Sequence, residues 1–340
     1  SGSRVLGNAL TFLAVPSAVH HIGGEFVLVE STKDMVIDVD DLARKADATG
    51  ARYLLLSHMR GCVADLDEVA RVCAQRGIAI VEDCAHSLGV LWNGRHTGHH
   101  GSVCCVSAQS HKIINAGEGG FALTDDATLA ARIATMAGCS GDDFKKHRAV
   151  PGAEAFEAVD PERYPAYSLR MSNLAAAVLR PQIAGLEESV KQANDMHARF
   201  VEVFLRCASQ DGVGRCIKRP RILPQVRPCL NSFQFLVDLQ PEASALFVKL
   251  ARERGVPLQT FGAPGDARNF AYWGFLRPTT GKQPANYAVQ ARCCPQTAAV
   301  ISQTFDIRIP PRLSYKHLEL AAEILVSALV AAEALQRSLP

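Results

Sequence analysis

Three short apolar runs separated by two helical stretches constrain this chain more than any other feature. Phe26 to Val29, Tyr53 to Leu56 and Ile78 to Val81 are apolar throughout, as strands covered on both faces are. Between them, Asp40 to Ala46 and Asp65 to Gln75 have helical spacing with acidic first turns, where carboxylates meet the positive end of the helix dipole. Strand, helix, strand, helix, strand is the alternation of an α/β fold with a mostly parallel sheet, because parallel neighbours need a crossover connection. Such sheets place ligands at the carboxyl ends of their strands. The residues just past each run, Ser57-His58 and Glu82-Asp83, are therefore the first candidates for a site.

A second feature follows within thirty residues. After a turn-rich segment, Asn93-Gly94 and Gly98 to Gly101, the apolar run Val103 to Val106 delivers Ser107, Ser110 and Lys112. Gly117, Gly119 and Gly120 then permit tight backbone before a further strand, Phe121 to Thr124. A lysine in a polar loop or an aspartate ending a strand is, alone, an ordinary solvated or capping residue. An acid at one strand end, a lysine past another and hydroxyls beside the lysine together suit pyridoxal 5'-phosphate. Its aldehyde needs an amine, its pyridine nitrogen needs a carboxylate to stay protonated, and its phosphate needs hydroxyl and backbone N–H donors.

These residues resemble the core of the DegT/DnrJ/EryC1/StrS family of aminotransferases. The family pattern E-D-x-A-[HQ]-x-x-G, then G-x-x-x-G, S-x-x-x-x-K and G-[ED]-G-G is matched by Glu82 to Gly89, Gly94 and Gly98, Ser107 to Lys112, and Gly117 to Gly120. The resemblance implies a fold-type-I aminotransferase, with a large αβα domain around the mostly parallel sheet and a smaller C-terminal α/β domain. It implies Lys112 as the Schiff-base lysine, Asp83 as the partner of the pyridine nitrogen, His86 as a contact on the ring's phenolic side and Ser107 as a phosphate ligand. Relatives that replace the lysine with histidine are dehydratases; this chain keeps Lys112. Leu10-Thr11-Phe12 resembles the family's T-[FWY] segment, so Phe12 is either the ring that stacks on the cofactor or an ordinary core residue. Tyr167 to Leu174 resembles G-Y-N-x-R-M-[ST]-[DE]-L, with Ser168 where the family has an asparagine that reaches the phosphate in the partner subunit. That implies a homodimer with the site at its interface. The resemblance also implies a front segment, with a Ser/Gly-Thr loop on the phosphate, ahead of the point where this sequence begins.

Composition narrows the classes. Lys plus Arg number 36 against 34 for Asp plus Glu, a net of +2 over 340 residues, with no long run of either sign. No nucleic-acid footprint follows from that. Eleven cysteines are scattered through apolar stretches without C-x-x-C spacing, which reads as reduced core thiols of a cytoplasmic protein and not as a metal site. His96, His99 and His100 lie in a glycine-rich turn and read as a surface loop. The longest apolar stretch, Leu318 to Leu335, contains Glu319, Glu323 and Glu333, so it is expected as an amphipathic helix and not a membrane span.

Along the rest of the chain, Asp126 to Met136 is expected as a helix, and Gly138 to Pro165 as a flap facing the substrate. Ser172 to Cys207 has helical periodicity, with a kink or break predicted at Pro181. Pro220 to Pro228 reads as a linker, giving a large cofactor domain over 1–215 and a small domain over 216–340. In the latter, Phe233 to Leu239 is expected as a strand and Glu242 to Arg254 as a helix. Two arginines, Arg60 and Arg268, are candidates for an anionic group of the substrate.

The expectation is therefore a transaminase with pyridoxal 5'-phosphate that moves an amino group from Glu or Gln to a keto sugar, a nucleotide-linked one included, or a similar cyclic ketone. Two rivals stand beside it: a dehydratase or epimerase on the same scaffold, and a truncated, non-catalytic relative. A Rossmann-type nucleotide binder is disfavoured because no G-x-G-x-x-G follows a strand.

Overall fold

The structure is a computed structural model that describes residues 2–139, 153–276, 292–310 and 313–339. Part of the expected flap, residues 140–152, lies outside them.

The principal sheet has six strands: β1 (Arg4–Asn8), β2 (Glu25–Val29), β3 (Tyr53–Ser57), β4 (Ala79–Asp83), β7 (Val103–Ser107) and β8 (Gly120–Leu123). Their order is β2-β1-β3-β4-β7-β8, all parallel except the β7/β8 pair. The helices expected between strands form at Val39–Thr49 and Leu66–Arg76. Asp38 and Asp65 cap their first turns by accepting backbone N–H bonds, and Gly50 and Gly77 end them in the left-handed conformation. Their buried faces, with Leu42, Leu66, Val69 and Val72, cover Leu6, Leu54, Leu56 and Ile80 of the sheet.

One central strand was not among those expected. β1 carries Gly7 in mid-strand, and a Cβ there would lie 2.4 Å from the Phe26 ring on β2. The glycine that lets β2 pack closely is also what breaks the apolar run in the sequence. Because the chain leaves β1 for the edge strand β2 and returns on its other side as β3, the connections diverge between β1 and β3. That crevice, at the strands' carboxyl ends, is where α/β sheets take ligands.

The hairpin β5 (Leu91–Trp92) and β6 (Arg95–His96) joins β9 (Val226–Arg227) in a small sheet. Its Asn93 and Gly94 have positive φ, as a tight hairpin turn requires. A third sheet, β10 (Ser232–Leu236), β12 (Thr304–Arg308) and β11 (Gln259–Thr260), runs in the order β10-β12-β11 and is antiparallel. Helices Leu186–Gln210, Pro241–Glu253 and Tyr315–Ser338 pack with it around Phe200, Phe204, Phe233, Phe235, Phe247 and Phe305, all buried. Among the described residues no helix is long and apolar enough to cross a membrane.

The helical stretch after Ser172 divides at Gly185, not at Pro181. Pro181 sits inside Asn173–Ala184, and its carbonyl still accepts from Gly185 N–H at 3.2 Å. At Gly185 the backbone leaves helical geometry (φ −95°, ψ 11°), a departure that a residue without a Cβ makes at little cost.

Candidate active site

A cavity of ≈ 1480 Å³ opens at the carboxyl edge of the principal sheet, between it and β12. Asp83, His86, Ser107, Lys112, Phe12 and Arg268 all line it. The structure thus brings together six of the residues singled out in the sequence, from segments up to 256 positions apart (268 minus 12).

Asp83 ends β4, and two donors fix its carboxylate: Ser57 Oγ gives a hydrogen bond to Oδ2 at 2.7 Å, and Ala85 N–H gives one to Oδ1 at 3.1 Å. Ser57 in turn accepts from Thr11 Oγ1 at 2.8 Å. Asn8 clamps the Ser57 backbone from β1, accepting its N–H at 3.1 Å and donating to its carbonyl at 3.2 Å. This relay spans the β1/β3 crevice. Ser57 was visible as a strand-end residue and Thr11 as the threonine of the T-[FWY] segment, but nothing in the sequence linked the two to Asp83.

Lys112 projects from a loop held by backbone bonds, Lys112 N–H to Gln109 O at 2.9 Å and Ser110 N–H to Gly117 O at 2.7 Å. Burial pushes its pKa down to about 8, with Asp83 opposing and Arg60, Arg308 and Arg268 assisting. The neutral amine is therefore a far larger fraction at a given pH below 8 than for an ordinary lysine, which favours a nucleophile or proton carrier. His86, in the same wall, is driven well below the ordinary histidine value, first by burial and then by Lys112, so it faces the cavity as a neutral imidazole.

Phe12 is 40% exposed, unusual for a phenylalanine, and its ring has the Arg268 guanidinium 5.7 Å from its centroid. Arg268 also lies 5.0 Å from the Phe261 ring and 3.4 Å from Asp266. Arg60 does not line the cavity. It is buried in a left-handed conformation (φ 56°) and paired with Asp306 of β12, which does line it. Asp306 also accepts from Gln234 Nε2 at 2.7 Å. Ser168 lies outside the cavity lining, on the exposed stretch before helix Asn173–Ala184.

Glu82 and Asp83 point to opposite faces of β4, and Glu82 does a different job. Its carboxylate accepts from His58 Nε2 at 3.0 Å and from the N–H groups of Gly98, His100 and Gly101 at 2.7 to 2.8 Å. Burial alone would raise its pKa, but these donors outweigh it and hold the carboxyl at about 2. His58, Glu82 and Cys84 bring their ligating atoms within 4.8 Å of one another. Both Glu82 oxygens are already taken by N–H donors, so the group anchors the Gly98 to Gly101 turn and leaves little for a cation. The cysteines are all free. Cys104 is buried and its neighbour Cys105 lines the cavity, on opposite faces as adjacent strand residues must be.

The donor set fits pyridoxal 5'-phosphate: a fixed carboxylate, an amine of lowered pKa, a partly exposed aromatic face and a serine at a strand end converge on one cavity of sufficient size.

A family model of the DegT/DnrJ/EryC1/StrS aminotransferase family matches residues 1–255. The chain is 25% identical over 310 residues to 3-amino-5-hydroxybenzoate synthase of Amycolatopsis mediterranei, covering 88% of this chain and 72% of that protein. It is 31% identical over 188 residues to L-glutamine:scyllo-inosose aminotransferase of Streptomyces griseus, covering 55% of this chain and 43% of the relative. Among solved structures, that of 3-amino-5-hydroxybenzoic acid synthase matches with a TM-score of 0.77 at 23% identity, over 97% of this chain and 81% of that one. A sugar aminotransferase of Streptococcus pneumoniae in its PMP form matches at 0.75, with 17% identity, over 97% and 82%. These two likenesses establish the fold.

Proposed function

We propose, from the premise that this chain belongs to the DegT/DnrJ/EryC1/StrS aminotransferase family, that it moves an amino group from glutamate or glutamine to a cyclic ketone. Pyridoxal 5'-phosphate is its cofactor. The observation that carries the reading is that Asp83 and Lys112 line one cavity and act on each other electrostatically. Two relatives, an L-glutamine:scyllo-inosose aminotransferase and a 3-amino-5-hydroxybenzoate synthase, support glutamine as donor and a six-membered ring as acceptor.

Bound here, the cofactor supplies an aldehyde to carry nitrogen and a protonated ring that draws electrons. Asp83 would hold the proton on the ring nitrogen, and the Thr11–Ser57 relay and Ala85 aim its carboxylate. Lys112 would provide the amine that holds the aldehyde, and its free amine would move a proton at the substrate carbon that bears nitrogen. Phe12 would cover the ring and exclude water from one face, His86 would meet the ring as a neutral imidazole, and Ser107 would donate to the phosphate.

The purified protein is expected to turn yellow with pyridoxal 5'-phosphate, to be fixed at Lys112 by borohydride, and to release the corresponding 2-keto acid from glutamate or glutamine. A coloured protein that releases no keto acid supports dehydration or epimerisation instead; a colourless one overturns cofactor and reaction together.

The reading includes a homodimer in the cytoplasm. On helix Asn173–Ala184 and the stretch before it, Leu169, Leu174, Val178 and Ile183 are between 44% and 77% exposed, an apolar face that a second copy would cover. In that assembly Ser168 reaches the partner's cofactor phosphate. The free cysteines suit a reducing compartment. The mass in solution is expected at twice the 36.6 kDa of the chain, and replacing Leu174 and Val178 together by aspartate is expected to give monomers by light scattering. A wild-type monomer under the same conditions overturns the dimer.

A further inference from the structure

The backbone around Phe12 is fixed on both sides, while its ring lines the cavity and is 40% exposed. On one side, Thr11 is tied to the Ser57–Asp83 relay by its 2.8 Å hydrogen bond to Ser57 Oγ. On the other, Leu13 N–H donates to the carbonyl of Ala267 at 2.8 Å, and Leu10 makes an antiparallel bridge with Asn269. The stretch Asp266 to Trp273, which follows β11, therefore clasps the segment that carries Phe12. It is also bonded to itself. Asp266 accepts the Arg268 N–H through Oδ1 at 2.8 Å and the Asn269 N–H through its carbonyl at 3.0 Å, and Trp273 Nε1 donates to the Ala267 carbonyl at 3.2 Å.

With the backbone fixed, the freedom left to Phe12 is rotation about its side-chain torsions. The Arg268 guanidinium bears on that freedom. It lies over the Phe12 ring at 5.7 Å and over the ring of Phe261, the buried residue next to β11, at 5.0 Å, both within reach of a cation–π contact. Asp266 neutralises the guanidinium but holds it loosely. Both carboxylate oxygens stand 3.4 Å from Nη1, beyond the roughly 2.7 to 2.9 Å of a firm charge-assisted bond. Among the described residues the buried Arg268 Nε has no hydrogen-bond partner. The plane of the guanidinium is thus set more by the two rings than by its counter-ion.

We propose that Arg268 is a positioning residue: lying over both rings, it ties Phe12 to Phe261 and holds the Phe12 ring in the attitude in which it covers the cofactor. The inference rests on the reading of this cavity as a pyridoxal 5'-phosphate site, and it gives a different role to an arginine first expected on an anionic group of the substrate. A ring already held before the cofactor arrives loses little further freedom on binding, so the arginine acts on affinity through Phe12.

The test is a double-mutant cycle in which apoprotein is titrated with pyridoxal 5'-phosphate and the dissociation constant is read from the visible band. Arg268→Gln removes the charge and leaves a donor for Asp266. It is expected to weaken the cofactor about tenfold, within the range for loss of a desolvated cation–π contact. In a Phe12→Leu background the same substitution is expected to cost at least threefold less, because the ring that the guanidinium holds is gone. The cycle separates this from plain electrostatics, since removing a positive charge near an anionic cofactor weakens it equally in both backgrounds. Arg268→Lys keeps a cation near the rings without the planar fork and is expected to fall between wild type and Arg268→Gln. Effects of Arg268→Gln that agree within threefold in the two backgrounds overturn the proposal. Should that variant fail to fold, Arg268→Lys replaces it in the cycle with a threshold of twofold. Failure of the wider reading is separate: the wild type itself would then stay colourless with the cofactor.

Discussion

Lys112→Ala is expected to abolish the visible band with pyridoxal 5'-phosphate, to leave no borohydride-fixed adduct, and to lower amino transfer by about 10⁴-fold, the upper range for loss of a positioned proton carrier. The effect is chemical and not a collapse of the loop. Its turns are held by backbone bonds, Ala108 N–H to Gly119 O at 2.8 Å and Ala116 N–H to Ala108 O at 3.0 Å, and Gly117 and Gly119 supply the positive φ values. Nor does the fold lose a stabilising charge. A lysine whose folded value is about 8, below the ordinary 10.5, is protonated more readily in the unfolded chain, so it opposes folding at lower pH and the penalty lifts as pH rises from 8 to 10.5. Lys112→Ala is therefore expected to melt no lower than wild type and to lose that rise. The same value sets a pH profile in the wild type. The rate at which apoprotein captures the cofactor aldehyde, followed as the band grows, is expected to increase about tenfold per pH unit below 8 and to level off above it, as the free amine fraction does. A band that survives in Lys112→Ala at full height would sink the assignment.

How much of this was legible in the sequence depended on how local each signal was. β3, β4 and β7 announce themselves as apolar runs, and Asp83 and Lys112 follow because each lies next to the strand that places it. β1 hides because Gly7, required by the Phe26 ring, interrupts its run. The Thr11–Ser57–Asp83 relay joins residues 46 and 26 positions apart, and no spacing rule connects hydroxyls across a parallel sheet. Arg60 was visible as a charge in the right loop, but its pairing with Asp306 at a separation of 246 was not. Asp306 and Arg308 sit in a strand whose neighbours Phe305 and Ile307 point into the core. The alternation of β12 turns both charged residues toward the cavity, a consequence that appears only once the strand's facing is known. Glu82 is the converse case: read as the polar end of a strand, it is fully buried and anchors a turn sixteen to nineteen residues away.

Asp83→Asn separates holding the cofactor from activating it. Asparagine keeps the shape of the carboxylate and can still accept from Ala85 N–H, while its amide donates to Ser57 Oγ if that hydroxyl turns, so the crevice keeps its packing. What disappears is the charge that holds a proton on the ring nitrogen, and with it the ring's capacity to draw electrons. The band is expected to form with Lys112 intact, and turnover to fall by about 10³-fold, comparable to removal of one preorganised electrostatic partner. A second readout is independent of turnover. Asp83 raises the Lys112 value, so its neutralisation lowers that value further, and the pH profile of cofactor capture should move to the acid side of its wild-type midpoint near 8. A merely structural role for Asp83 would lower the melting temperature and leave the midpoint in place. Turnover within threefold of wild type, or a midpoint that does not move, would remove Asp83 from the ring nitrogen and leave Lys112 without the partner on which the transamination depends.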